Sequence, residues 1–222
     1  MSKTTPPSTD SPGKGLLTVI SRSSISLGLF SLVTVGLTAL TYVLTKDRIA
    51  DQVRRYEARV LMEILPESTH DNRLQDTTVT VPPSSLLSTK KPQKAYIALK
   101  NGQAVAVILH ATAPDGYNGR IDLLVGIRRN GTVAGVRVVS HKETPGLGDK
   151  IDTKVSPWIF SFTGKSLLNP TTDGWAVKKD GGQFDQFTGA TITPRAVVSS
   201  VYRTLEYFKA HREQLLGDGT GY

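Results

Sequence analysis

The sequence predicts an α+β protein: one N-terminal transmembrane helix, then a single mixed α/β domain of antiparallel hairpins closed by a C-terminal helix. Three observations predict it. Residues 23–45 form a run of 23 positions without a charge, bracketed by Arg22 and Lys46. Two apolar, β-branched stretches are each interrupted by an Asn-Gly pair, at Asn101-Gly102 and Asn130-Gly131. Beyond Thr193-Pro194, the residues Val197, Val201, Leu205 and Phe208 recur at helical spacing.

Residues 1–22 are rich in Ser, Thr, Pro and Gly and have little to bury, so a disordered lead is expected there. The uncharged run that follows is long enough to cross a bilayer, since about 20 helical residues span roughly 30 Å of hydrocarbon. Eight Ser/Thr dilute it. In lipid such hydroxyls bond back to carbonyls of their own helix. Ser24, Gly28 and Gly36 would let a neighbouring helix approach closely. No A-x-A-like site closes the run, which argues against a cleaved signal peptide. Lys3, Lys14 and Arg22 precede it, whereas Lys46, Arg48, Arg54, Arg55 and Arg59 follow, so charge counting leaves the orientation open.

From Asp47 to Leu65 the apolar residues Ile49, Val53, Tyr56, Val60, Leu61 and Ile64 recur every three or four positions, and Pro66 stops the helix. Residues 46–94 therefore read as a juxtamembrane helix and a connector, with one short strand at Thr77–Val81. A domain is expected over 95–216 and a tail over 217–222. Its first hairpin is Ala95–Lys100, Asn101-Gly102, Gln103–Leu109; the second is Ile121–Arg129, Asn130-Gly131, Thr132–Ser140. Asn-Gly takes the positive φ angles of a type I′ turn, whose twist matches the flanking strands. The C-terminal helix is expected to start with Thr193 as N-cap and Pro194 at its first position, and to stop at Gly217.

Composition removes several functions. The chain has 222 residues and no cysteine, which excludes a disulfide scaffold, a thiolate nucleophile and a Cys-held iron–sulfur cluster. The formal charge of +8 invites a nucleic-acid reading. However, the first 46 residues hold four basic residues against one acidic, and the remaining excess is spread without a patch. No nucleic-acid partner is expected. No nucleophile elbow, Walker loop or HExxH motif occurs. His141 and Glu143 are two potential metal ligands without a third nearby, and no metal site is expected.

The stretch entering the last helix carries the chemistry. Asp185, Thr188, Gly189, Ala190 and Thr191 place small residues and hydroxyls at a helix N-terminus, where unpaired N–H groups and partial positive charge favour a phosphate. By these residues alone it could be an ordinary capped turn, a non-covalent phosphate cradle or a site where a threonine itself carries the phosphoryl group.

Asp185…Thr188-Gly189-Ala190-Thr191 resembles the D-x-x-[ST]-G-A-T flavinylation motif of the FMN-binding domain family. The longer strings from Gly181 to Arg195 and from His141 to Ile151 are similar to those of the G subunits of Rnf/Rsx ion-translocating electron transport complexes. The resemblance covers roughly residues 25–210. It implies FMN joined by a phosphoester to the hydroxyl of Thr191, attached by a separate FAD-dependent flavin transferase that recognises Asp185 as part of the motif. Thr188, Gly189 and Ala190 would shape the loop. Thr144 and Leu147, in the Thr144–Gly148 turn, would wall the flavin ring, and Tyr117, in Gly116-Tyr117-Asn118-Gly119, would cover it.

The resemblance further implies an electron-relay subunit in the bacterial inner membrane, single-pass, with the FMN domain on the periplasmic side. Other membrane, flavin and iron–sulfur subunits of such a complex, coupling ferredoxin or NADH chemistry to ion translocation, would be its partners. The catalysis would belong to the complex rather than to this chain alone. The C subunit of the sodium-translocating NADH:quinone reductase shares the short motif and layout, and a non-redox anchored domain could use the same loop for a phosphorylated ligand.

Overall fold

The computed structural model describes residues 12–217, and the chain divides into two units, residues 1–55 and 56–222. Helix α1 runs Pro12–Ile64. Pro12 stands at its first position, where the missing N–H costs no helical bond. Residues 12–22 of the expected disordered lead are thus helical. Extending an existing helix needs no new nucleus, so the apolar run carries the turns ahead of it. Residues 1–11 and the tail from 218 onward lie outside the described residues.

In the first unit, Ser24–Lys46 is long and apolar enough to cross a membrane, and none of it is buried. Phe30, Leu32 and Tyr42 stand exposed with their apolar neighbours. The hydroxyls of Thr34, Thr38, Thr41 and Thr45 donate to the carbonyls of Phe30, Thr34, Leu37 and Thr41 at 2.7–2.9 Å. The polarity of these threonines is therefore absorbed by their own helix.

The second unit is built on five antiparallel strands in the order β1-β2-β3-β4-β5. They are β1 (Thr78–Val81), β2 (Gln93–Lys100), β3 (Gln103–Gly116), β4 (Gly119–Arg128) and β5 (Val133–Ser140). Both expected hairpins are present, but their turns differ. Asn101 (φ 53°) and Gly102 (φ 75°) form the type I′ turn. In the second, only Gly131 (φ 85°) is left-handed. There the Asn130 carboxamide oxygen accepts from the Thr132 amide at 3.1 Å and from its hydroxyl at 2.8 Å. Those bonds satisfy a type I turn followed by a glycine bulge, with the Gly131 amide donating to the Arg128 carbonyl at 2.8 Å. A third hairpin, β3–β4, turns at Gly116–Gly119.

Each face of the sheet carries its own core. On one lie Ile97, Val107, Leu123 and Val125, under Val197, Val201, Leu205 and Phe208 of α2 (Ile192–Leu216). The long segment between β5 and α2 is held to that core by aromatics: the Phe162 and Phe184 rings stack at 4.6 Å, and Trp158 meets Phe187 edge-on at 5.1 Å. On the other face, Val60, Leu61, Ile64 and Leu65 pack with Leu74 onto Tyr96, Ala98, Ile108 and Leu124. Ile64 reaches the strands because the cross-strand pair Gly126–Gly135 lies beneath it; a Cβ on Gly126 would collide with the Ile64 Cγ2. Buried Arg137 fastens this end of α1, donating to the Glu63 carboxylate at 2.9 Å and its carbonyl at 3.0 Å. The compact unit thus starts at Tyr56 and takes in residues 56–94, ahead of the expected boundary at 95. Pattern separates a connector from a domain only by polarity, whereas β1 and the end of α1 join the unit through pairing and packing.

Candidate functional site

Helix α2 begins at Ile192 with Thr191 as its N-cap, two residues earlier than the sequence suggested. Thr193 cannot cap because it is fully buried and its hydroxyl donates to the Glu143 carboxylate. Pro194 occupies the third helical position, still within the first turn, where amides have no helical acceptor. Thr191 has helical angles (φ −75°, ψ −27°) and its side chain makes no capping bond. A half-buried hydroxyl without a capping role therefore stands at the N-terminus of a 25-residue helix. That is the position at which backbone N–H groups and the helix dipole favour a phosphate.

Two tight turns meet in front of this helix end. In Phe187-Thr188-Gly189-Ala190 the Ala190 amide donates to the Phe187 carbonyl at 3.1 Å, and Gly189 has φ 81°. In Thr144-Pro145-Gly146-Leu147 the Leu147 amide donates to the Thr144 carbonyl at 3.1 Å, and Gly146 has φ 77°. Both are the type II arrangement, which demands positive φ at the third residue. They lie side by side: a Cβ on Gly189 would come within 3.5 Å of the Leu147 Cδ2. Thr188 and Gly189 are exposed, Ala190 packs partly on the core, and Leu147 keeps 42% of its surface exposed.

The hairpin tip joins them. The Asn118 side chain donates to the Thr144 hydroxyl at 2.9 Å, and its backbone amide donates to the Glu143 carboxylate at 3.0 Å. Neighbouring Tyr117 is 67% exposed. Loops 116–119, 143–148 and 187–193 thus converge on one end of the unit. Asp185 lies at the margin. Its backbone carbonyl accepts from the Trp158 indole at 2.8 Å, while its exposed carboxylate pairs with Lys178 at 2.6 Å. Nearby, Arg195 clasps Asp180 with two bonds of 2.5 and 2.6 Å. Those hydrogen bonds hold the Asp180 carboxyl below the usual aspartate range and raise the Arg195 guanidinium.

Of the residues singled out from the sequence, Thr188, Gly189, Ala190, Thr191, Thr144 and Leu147 therefore come together, Tyr117 stands on an adjoining loop, and Asp185 faces solvent beside them. Glu143, Asn118 and Thr193 tie the loops, and sequence reasoning missed those roles. His141 and Glu143 do not converge as ligands: the His141 Nδ1 accepts the backbone amide of Glu143 at 3.1 Å, and the carboxylate oxygens are taken elsewhere. An uncapped hydroxyl, amides without acceptors and an exposed apolar side chain against open glycine turns fit a phosphate ester bearing a flat ring.

The FMN-binding domain family model matches residues 116–206, and the RnfG N-terminal region model matches residues 15–64. The G subunit of the ion-translocating oxidoreductase complex of Pseudomonas aeruginosa (strain UCBPP-PA14) is 55% identical over 195 residues, covering 88% of this chain and 91% of the relative. The protein of the same name from Vibrio vulnificus (strain YJ016) is 51% identical over 201 residues, covering 90% of this chain and 95% of the relative. Among solved structures, the crystal structure of Shewanella oneidensis NqrC aligns with a TM-score of 0.44 and 24% identity, over 63% of this chain and 69% of that one.

Proposed function

The chain belongs to the family of G subunits of ion-translocating oxidoreductase complexes, and from that premise we propose that it carries FMN, joined by a phosphoester to Thr191, as an electron relay within a membrane complex. The observation that carries the reading is the Thr191 hydroxyl, free of any capping bond at the N-terminus of α2, beside the glycine turn at 187–190. Thr191 Oγ takes the flavin phosphoryl group from FAD on a separate transferase: the new P–O bond forms, the pyrophosphate bond breaks, AMP leaves, and the hydroxyl proton passes to the transferase. Bound FMN supplies electron transfer. The amides of the first α2 turn stabilise the charge left on the phosphodiester. Leu147 and Tyr117 line the ring and exclude water, and the exposed Asp185 remains accessible to the transferase.

Residues 24–46 anchor the chain in the bacterial inner membrane, with the flavin domain on the periplasmic side. The span holds no Asp, Glu or Lys before Lys46, so an ion path belongs to partner subunits of the complex. Fluorescence of the chain on a denaturing gel, after production with its transferase, tests the attachment. A flavin band in the wild type that vanishes in Thr191→Ala is expected; a dark wild-type band overturns the reading. Protease added to spheroplasts tests the orientation, and a protected domain would overturn it.

A further inference from the structure

Glu143 is 4% exposed, and both carboxylate oxygens have donors from distant parts of the chain. Oε1 accepts the Asn118 amide at 3.0 Å, and Oε2 accepts the Thr193 hydroxyl. The surrounding backbone is shaped to the carboxylate. A Cβ on Gly116 would stand 2.9 Å from Oε1, and one on Gly148 would stand 2.8 Å from Oε2 and 2.8 Å from the Thr193 Oγ1. Burying a carboxylate is expensive unless it is fully hydrogen-bonded, and an apolar side chain would fill the same space more cheaply. What an apolar side chain could not do is bind the hairpin tip, the 143–148 turn and the first turn of α2 to one point.

We infer that Glu143 is the positioning residue of the flavin site. Its carboxylate sets Thr193, and with it Thr191 two residues upstream, against the loops that carry Leu147 and Tyr117. Thr144 adds a second tie through the Asn118 side chain, so the attachment hydroxyl and the walls share one frame. The inference rests on attachment at Thr191, and its test separates the two.

Wild type, Glu143→Ala, Glu143→Gln and Thr193→Val are compared in the full-length chain. Amide exchange is read without flavin, and gel fluorescence and visible circular dichroism are read after production with the transferase. In Glu143→Ala, flavin labelling falls about tenfold, the order expected for losing a hydrogen bond to a charged group. Exchange rises together in 116–119, 143–148 and 191–195, while β2–β4 stay protected. Glu143→Gln restores most of the labelling, because its amide still accepts from Asn118 and donates to the Thr193 oxygen. Thr193→Val loosens only the start of α2, and the dichroism of whatever flavin is bound changes. Wild-type labelling and dichroism in Glu143→Ala would overturn the inference. So would a loss of protection throughout the sheet that Glu143→Gln fails to repair. A wild-type chain that takes no flavin overturns the Thr191 reading, and the exchange pattern then decides alone whether Glu143 joins the three loops.

Discussion

Two of the surfaces on which this chain exposes large apolar side chains are encoded in opposite ways. In Ser24–Lys46 the exposed residues are contiguous in sequence, and Phe30, Leu32 and Tyr42 face outward together with their large apolar neighbours. Around the N-terminus of α2, the exposed Tyr117 and Leu147 come from two loops and Ile192 from the helix start, all far apart in the chain. The first surface needs only a solvent, the hydrocarbon of a bilayer. The second, small and set beside hydrogen-bonding groups, is the one proposed above to hold a shaped ligand.

The largest test breaks the first surface. Val33→Lys with Leu37→Lys puts two charges near the middle of the span, at about 2.5–3.5 kcal/mol each. The chain is expected to leave the carbonate-resistant membrane fraction; full retention would refute a lipid-facing span. Next comes the scaffold behind the second surface. Gly126→Val drives a side chain into the Ile64 Cγ2, and overpacking of this kind costs about 1–3 kcal/mol. Thermal unfolding is expected to shift downward accordingly; an unchanged midpoint would mean that the end of α1 does not press on the sheet.

Leu147→Ala probes the loop surface itself. Because the side chain is partly exposed, unfolding of the flavin-free chain should change by no more than about 0.5 kcal/mol. The visible circular dichroism of the flavin-loaded chain should nevertheless change. A large loss of stability would instead make Leu147 a core residue. The smallest effect concerns the exposed Asp180–Arg195 pair. Since the Arg195 hydrogen bonds lower the Asp180 pKa, the pair contributes stability above the usual aspartate range and loses it as the pH falls through the lowered value. Melting of wild type and Asp180→Asn should differ slightly at neutral pH and converge in strong acid. Solvent screening keeps the difference small.

Much of the fold was legible locally. The span, the 101–102 turn, the strand near 78–81, the stop at Pro66 and the stripe of α2 all follow from residues within a few positions of one another. The site was legible only as a motif: Thr188–Thr191 marked a helix entrance suited to phosphate, but the cap lay two residues from where local preference put it. Thr193 looks like a cap because threonine usually satisfies its own helix; here a carboxylate 50 residues away holds its hydroxyl. Asn130 looks like a second type I′ turn, and its bonds to Thr132 choose otherwise.

A membrane-length apolar helix, antiparallel hairpins and a helix start rich in small residues and hydroxyls can be read from short stretches of residues, because periodicity, turn chemistry and helix ends are short-range effects. That the end of α1 packs on the sheet, that Gly126 and Gly135 make room for it, and that Glu143 joins three loops emerges only once distant segments pack together. Those outcomes depend on burial and on hydrogen bonds to partners 25 and 50 residues away. No local pattern records whether a carboxylate will be surrounded by donors or by water.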